Sequence, residues 1–180
     1  MPKYKVPNFG PGGRPETLNT ASVVLVGTAP VSGGANASGG LAHAGDLGVV
    51  YEEGTKRWQI FEAVDAQNTA AGDIMYVKNY ASYQATPTAA NSSIYEPAGV
   101  AELQYTLPVT NTTRVFIALR IGGIINVRSA DATINARGLG VTAAAGNTGI
   151  LQAGVAKPIG VSQAAQAAGF VSTFLTINPI

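Results

Sequence analysis

The chain has 180 residues, of which 12% are charged and 46% are apolar, and its formal net charge is +1. This length suits a single domain with a sizeable core, but the charged share lies well below the roughly 25% typical of soluble domains. We therefore expect much of the surface to be covered by partners, either copies of the chain itself or something larger.

The composition also excludes several classes of protein. Cysteine is absent, which rules out disulfides, thiolate metal sites and cysteine nucleophiles. Lys and Arg residues are scattered singly, without the concentrated basic footprint that nucleic-acid binding requires. The N-terminal residues lack the apolar core of a secretory signal, and the longest apolar stretch, Val115 to Val127, is too short and too polar to span a bilayer. Neither nucleic acid nor membrane is expected as a partner.

Residues 1–17 predict an extended N-terminal arm. Their prolines and glycines block a helix and interrupt any continuous ladder of sheet hydrogen bonds. Lys3, Lys5 and Arg14 give the arm a positive charge, opposed only by Glu16. Two interpretations stay open at this point: a loose terminus without a role, or an arm that lies across a partner.

Residues 18–45 predict one strand followed by a linker. The segment 18–28 is rich in β-branched residues and favours a strand. The segment 29–45 consists mostly of Gly, Ala, Ser and Asn, which is typical of a flexible linker. We therefore expect the compact domain to occupy residues 46–180.

Within 46–180, short strand-forming segments recur and each is closed by turn residues. Segments 47–52 and 57–63 predict a hairpin around a glycine-containing turn, in which Trp58 and Ile60 alternate with Arg57, Gln59 and Glu62, although Phe61 breaks the strict alternation. Further strands are predicted at 73–80, 99–107, 113–128, 139–143, 157–163 and 170–177.

Two details refine this pattern. The longest strand, 113–128, has a period of two, and its Gly122–Gly123 pair predicts a bulge or sharp bend. Residues 164–168 favour a loop or single turn, because an isolated helix this short is marginal. The predicted fold class is all-β, a small β-barrel or a β-tulip or sandwich with an extended N-terminal arm.

Groups that could perform catalysis are sparse. The single histidine, His43, lies in the predicted linker, where nothing fixes its imidazole. Glu52 and Glu53 are adjacent on a strand and so point to opposite faces, which prevents them from acting as an acid–base pair. No glycine-rich stretch has the Gly-Lys-Ser/Thr ending of a phosphate-binding loop. We predict that the chain is not an enzyme and that it uses no cofactor, metal ion or small-molecule substrate.

Tyrosines cluster in the middle third of the chain, and tyrosine is favoured at protein interfaces because its ring has one dry and one hydrogen-bonding edge. Ordinary strand tyrosines are the alternative. Together with the arm, they supply the candidate residues for contact with a larger partner or another protomer: Lys3, Lys5, Pro7, Phe9, Arg14, Tyr76, Tyr80 and Tyr83.

Residues 46–180 resemble the head decoration proteins of tailed bacteriophages. The segments that carry the resemblance are GDIMYVKN (72–79), AGVAE (98–102), RVFIALRIGGIINV (114–127), GLGVTAAAGNTG (138–149), KPIGVSQAAQAAG (157–169) and FVSTFL (170–175). The resemblance implies a β-barrel or β-tulip domain on the outer capsid surface of a virion, made in the bacterial cytoplasm. It further implies a homotrimer that clamps neighbouring copies of the major capsid protein without catalysis.

Two other functions remain open. A different trimeric virion component, such as a fibre or collar subunit, would be expected to show a repetitive shaft or coiled-coil heptads, and neither is present in the sequence. A carbohydrate-binding β-sandwich would need an exposed aromatic platform, for which Trp58 and the tyrosines are the candidates.

Overall fold

A computed structural model describes residues 3–4, 24–27, 47–65, 69–87, 96–102, 113–143, 151–154 and 158–180. Within these ranges all regular elements are strands and no helix is present. The prediction of an all-β fold is therefore confirmed. The predicted linker at 29–45, with His43, and most of the predicted arm lie outside the described residues.

The strands follow one another in short steps along the chain. Their bounds are β1 (Lys3–Tyr4), β2 (Val24–Gly27), β3 (Val49–Glu53), β4 (Lys56–Ala63), β5 (Ile74–Asn79), β6 (Gln84–Thr86), β7 (Pro97–Val100), β8 (Thr113–Arg128), β9 (Gly140–Ala143), β10 (Leu151–Ala153), β11 (Gly160–Ser162) and β12 (Phe170–Thr176).

Five of these strands close into a barrel. Their order around it is β4, β6, β5, β7 and β8, and β8 returns to pair with β4. The β4–β6 seam is parallel and the other seams are antiparallel. Closure pairs both edges of each barrel strand, which removes the exposed edges that an open sheet would present.

A second sheet grows out of the barrel through β8. Residues Gly122 to Arg128 of β8 pair with β12, and β11, β9 and β10 follow, all antiparallel. At the other side, β3 pairs with β4, β1 pairs in parallel with β3, and β2 pairs with the start of β8. The strand β8 is thus common to the barrel and the second sheet.

The wall of the barrel separates two hydrophobic cores. On β5, Met75 and Val77 belong to the core formed by barrel strands, whereas Ile74 and Tyr76 pack with residues of the second sheet. Because successive side chains of a strand point to opposite faces, β5 is buried on both. Strands buried on both faces read as continuous apolar runs, as the sequence IMYV does here.

Burial on β4 does not follow the alternation of its residue types, for the same reason. All residues from Trp58 to Ala63 are buried, including the polar Gln59 and Glu62. Gln59 remains hydrogen-bonded inside: its amide nitrogen donates to the backbone oxygens of Gly48 and Ile180, and its amide oxygen accepts from the Ile180 N–H. A buried amide is tolerated when its hydrogen bonds are made.

The predicted irregularity at Gly122–Gly123 is confirmed. Arg57 pairs with Gly122 whereas the next residue, Trp58, pairs with Arg120, so the register shifts at this point. Gly123 has a φ of +84°, and a Cβ built there would lie 2.7 Å from the backbone oxygen of Thr55. Both the conformation and the close approach therefore require glycine.

Other boundaries differ in detail from the predictions. The β3–β4 loop consists of only Gly54 and Thr55, since Glu53 pairs with Lys56. The predicted strand at 99–107 begins earlier, at Pro97, and its part beyond residue 102 lies outside the described residues. Strands β1, β6 and β10 were not predicted. Residues 164–168 form no helix, as expected, and a tight turn at Ala168–Gly169 leads into β12.

Asp131 holds the turn between β8 and β9. Its Oδ1 accepts hydrogen bonds from the N–H and the hydroxyl of Thr133 at 2.9 and 2.6 Å, and its Oδ2 accepts from the N–H of Ala153 in β10 at 2.8 Å. These hydrogen bonds, that of the Thr133 hydroxyl above all, lower the pKa of the Asp131 carboxyl because they stabilise its charged form. The carboxylate thereby ties the turn to the outermost strand of the second sheet.

We expect Gly123→Ala to destabilise the fold by about 3 kcal/mol or more, since it combines a strained positive φ with a backbone clash. Gly138→Ala is the matched control, because Gly138 has a φ of +88° but no heavy atom within 4 Å of the point where a Cβ would lie. That variant should lose only about 1 to 2 kcal/mol. Urea unfolding followed by Trp58 fluorescence measures both losses, and equal losses would contradict the close approach at Gly123.

We also expect part of the acid sensitivity of the fold to come from Asp131. Its pKa is lower in the folded chain, so its contribution is complete above about pH 4 and is lost as the pH falls through the folded pKa. In Asp131→Asn, the thermal midpoint should therefore fall less steeply between about pH 4 and pH 2 than in the unaltered chain. Parallel curves for the two proteins would contradict this assignment.

Candidate functional site

The outer face of the second sheet carries a row of exposed apolar side chains. Phe174 of β12 pairs with Ile124 of β8 on one side and with Val161 of β11 on the other. Directly paired residues project to the same face, so the three side chains lie side by side across three strands. Phe170 lies on the same face of β12, about 13 Å along the strand from Phe174.

We call these four residues, Ile124, Val161, Phe170 and Phe174, the outer apolar face. Their exposed fractions are 56%, 39%, 38% and 37%. Among the described residues they comprise all but one of the large apolar side chains that are this exposed, the exception being Tyr80. Large apolar groups that cluster in this way mark interaction surfaces more often than scattered ones do.

The strands that carry the outer apolar face have few charges at their other outward positions. The other outward positions on these strands are the neutral Asn126, Ser172 and Thr176, together with Arg128. The Arg128 guanidinium is engaged by the buried carboxylate of Asp73, at 2.7 Å between Nη1 and Oδ1. Aromatic side chains with few charges are characteristic of the centre of a protein–protein interface.

Two open depressions flank this face, and each has one of the two phenylalanines in its lining. The depression beside Phe170 has a volume of about 370 Å³ and is also lined by Gly72, Glu102 and Asn126. The depression beside Phe174 has a volume of about 310 Å³ and is also lined by Thr55, Arg57 and Gly123. The surface is therefore not flat. A depression at each end could accept side chains of a partner.

A buried polar cluster supports the wall of the first depression. The guanidinium of Arg120 lies 4.5 Å from the centre of the Trp58 ring, and its Nη2 is 3.1 Å from Oε1 of Glu102. The second carboxylate oxygen of Glu102 accepts a 2.9 Å hydrogen bond from the Trp58 indole N–H. Each of the three side chains therefore contacts the other two, which fixes Glu102 at the edge of the depression.

This cluster also shows whether the Trp58 ring is available to bind a ligand. Its side chain is 4% exposed and is fully engaged by Arg120 and Glu102. The interpretation of Trp58 as an exposed platform for carbohydrate is therefore wrong in this fold. The ring lies against β8 instead of facing solvent.

The three tyrosine candidates lie in different environments. Tyr76 is 1% exposed and belongs to the core between the barrel and the second sheet, so it is not available as a contact residue. Tyr83 is half-buried and packs against the barrel core, with its ring over the backbone of Gly48. Tyr80 is 42% exposed and donates a hydrogen bond to Glu96; desolvation, followed by this hydrogen bond, raises its pKa to about 12.

Of the arm candidates, only Lys3 falls within the described residues, in β1. Lys5, Pro7, Phe9 and Arg14 lie outside them and stay predictions. The outer apolar face was not among the sequence candidates, although all four of its residues lie in segments predicted as strands. The signal was present as the alternation Phe170, Ser172, Phe174, but the inward residues Val171 and Leu175 are equally apolar, so the sequence did not reveal which face is exposed.

In the described part of the chain, no group of three or more His, Asp or Glu side chains is arranged to hold a metal ion. Among the same residues, no helix has the length and hydropathy needed to cross a bilayer. Asp73 and Asp131 accept hydrogen bonds from nearby backbone N–H groups, as expected of aspartates beside turns.

We expect Glu102→Ala to cost about 3 kcal/mol of stability, because the buried Arg120 loses its carboxylate partner and the Trp58 indole loses its acceptor. Glu52→Ala is a suitable control: Glu52 is exposed in β3, and its loss should change stability by no more than about 0.5 kcal/mol. Urea unfolding measures both effects. Similar stabilities for the two variants would show that the cluster does not hold this part of the fold together.

No protein-family model, curated protein or solved structure matches this chain.

Proposed function

We propose that this chain is a structural virion protein that binds the outer surface of a phage capsid and stabilises contacts between major capsid subunits. In this proposal it works without catalysis, as a homotrimer whose partners are proteins. The outer apolar face is the observation that carries the binding role. The resemblance of residues 46–180 to head decoration proteins supplies the class of partner.

The size of the apolar surface suits a binder that works in many copies. Fully burying a side chain such as Phe or Ile contributes about 1.5 to 3 kcal/mol, and here only the exposed part of each remains to be covered. Each copy would therefore gain a few kcal/mol from the outer apolar face, before the cost of association is subtracted. A capsid offers many identical sites, and linked copies bind such an array far more tightly than single ones.

The scaffold behind this face is rigid enough to present a preformed surface. Phe170 and Phe174 alternate with Val171 and Leu175, which are fully or almost fully buried in the core. On both sides β12 is hydrogen-bonded to neighbouring strands, β8 and β11. Little conformational entropy remains to be lost on binding, which favours affinity.

We expect Phe174→Asp to weaken binding to phage heads by at least about tenfold, because a charge would be buried in an apolar contact without a partner. Phe174 is exposed, so the variant should still fold. Ala132→Asp adds the same charge at an exposed turn and should bind as the unaltered protein does. Binding is measured by co-sedimentation with heads that lack this protein.

The same preparations test the stabilising role. Heads carrying the unaltered protein or Ala132→Asp should disrupt at a higher temperature than bare heads, whereas heads mixed with Phe174→Asp should behave as bare heads do. If the unaltered protein fails to bind heads, or if Phe174→Asp binds and protects as well as the control, the proposal is overturned.

A further inference from the structure

The strand β1 occupies the edge of the sheet, next to β3. Lys3 and Tyr4 pair in parallel with Val49 and Val50 of β3, whose other edge is paired with β4. This pairing involves two residues of β1. It defines the acceptor, the edge of β3, and the register in which an N-terminal segment lies on it.

The connection to β1 is long compared with the size of the fold. Residues 5–23 separate β1 from β2, which is anchored to β8 through the pairing of Val24–Gly27 with Thr113–Phe116. A segment of that length reaches about 60 Å when extended, whereas a domain of 180 residues has a radius of gyration of about 16 Å. With β2 held in its own copy, β1 can therefore reach the β3 edge of an adjacent copy.

The energetic balance does not favour the chain's own edge strongly. A two-residue ladder makes few hydrogen bonds, and pairing within one chain must restrict the long connection between Tyr4 and β2. A strand from a second copy makes the same hydrogen bonds in the same register. Which copy supplies it then depends on the local concentration of arms, which rises when copies assemble side by side.

Charge is consistent with this acceptor. The arm carries Lys3 and Lys5, and β3 ends in Glu52 and Glu53, of which Glu52 is exposed. Opposite charges on the two segments favour their encounter.

We propose that in the assembled state the β3 edge binds the Lys3–Tyr4 strand of a second copy, so that adjacent copies are linked by exchanged arms. The occupant is thus another copy of this chain. This inference goes beyond the proposed function, since it concerns contacts between copies and stands whether or not their common partner is a capsid.

Disulfide trapping in the full-length chain tests the exchange. The chain has no cysteine, so introduced thiols are unique. Lys3→Cys and Val49→Cys place thiols on directly paired residues, at a separation that a disulfide spans. Val49 is nearly buried, and cysteine is a small apolar replacement that the site should accept.

The two single variants are mixed, concentrated and oxidised, and the two-chain product is measured on a non-reducing gel. Exchange predicts at least about fivefold more product than from the control pair Lys3→Cys with Thr55→Cys, whose second thiol lies at the exposed β3–β4 loop away from the register. The double variant Lys3→Cys/Val49→Cys should shift from single-chain to multi-chain products as its concentration rises.

Two results would overturn the inference. One is a mixed product no more abundant than the control while the double variant closes only within single chains at every concentration. The other is a double variant that forms no disulfide at all, because β1 would then not lie on β3. Loss of head binding with trapping intact would instead count against the proposed function alone.

Discussion

The passage of β8 from one partner strand to another determines how the two layers of this protein are joined. Its first half closes the barrel against β4, and its second half begins the second sheet against β12. The transfer occurs at Gly122, which pairs with Arg57 on one side and with Thr176 on the other. Gly123, beside it, approaches the Thr55 carbonyl too closely to admit a side chain. One continuous backbone thereby connects the two layers.

The second core follows from that connection. Because β8 and β12 project beyond the barrel, their inward residues Val127, Val171 and Leu175 can pack against the outside of the barrel wall, where Ile74 and Tyr76 lie. Burial of these residues turns the alternate positions of the same strands outward. Phe170 and Phe174 are therefore exposed as a consequence of the fold. Because the chain also has few charged residues, little charge repulsion opposes its association with other proteins through this apolar face.

The sequence predicts those features that depend on local pattern. The bounds of β8 were predicted correctly, since TRVFIALRIGGIINVR combines β-branched residues with a period of two, and its glycine pair marks the bulge. Strands β6 and β10 escaped prediction because segments as short as QAT and LQA become strands only through their neighbours. The burial of Gln59 depends on Ile180, 121 residues away, a contact that no local pattern encodes. Local pattern also does not reveal which face of β12 is exposed, because either face of FVSTFLT is apolar enough to line a core.

Covalent capture at the outer apolar face would show directly whether this surface touches a capsid. A photoreactive phenylalanine analogue at position 174 keeps an aromatic group on the surface and reports what touches it when heads are decorated and irradiated. We expect an adduct between this chain and the major capsid subunit that is absent when the analogue stands at Ala132. If heads that have bound the protein give no adduct between position 174 and the capsid subunit, the role proposed for this face is contradicted.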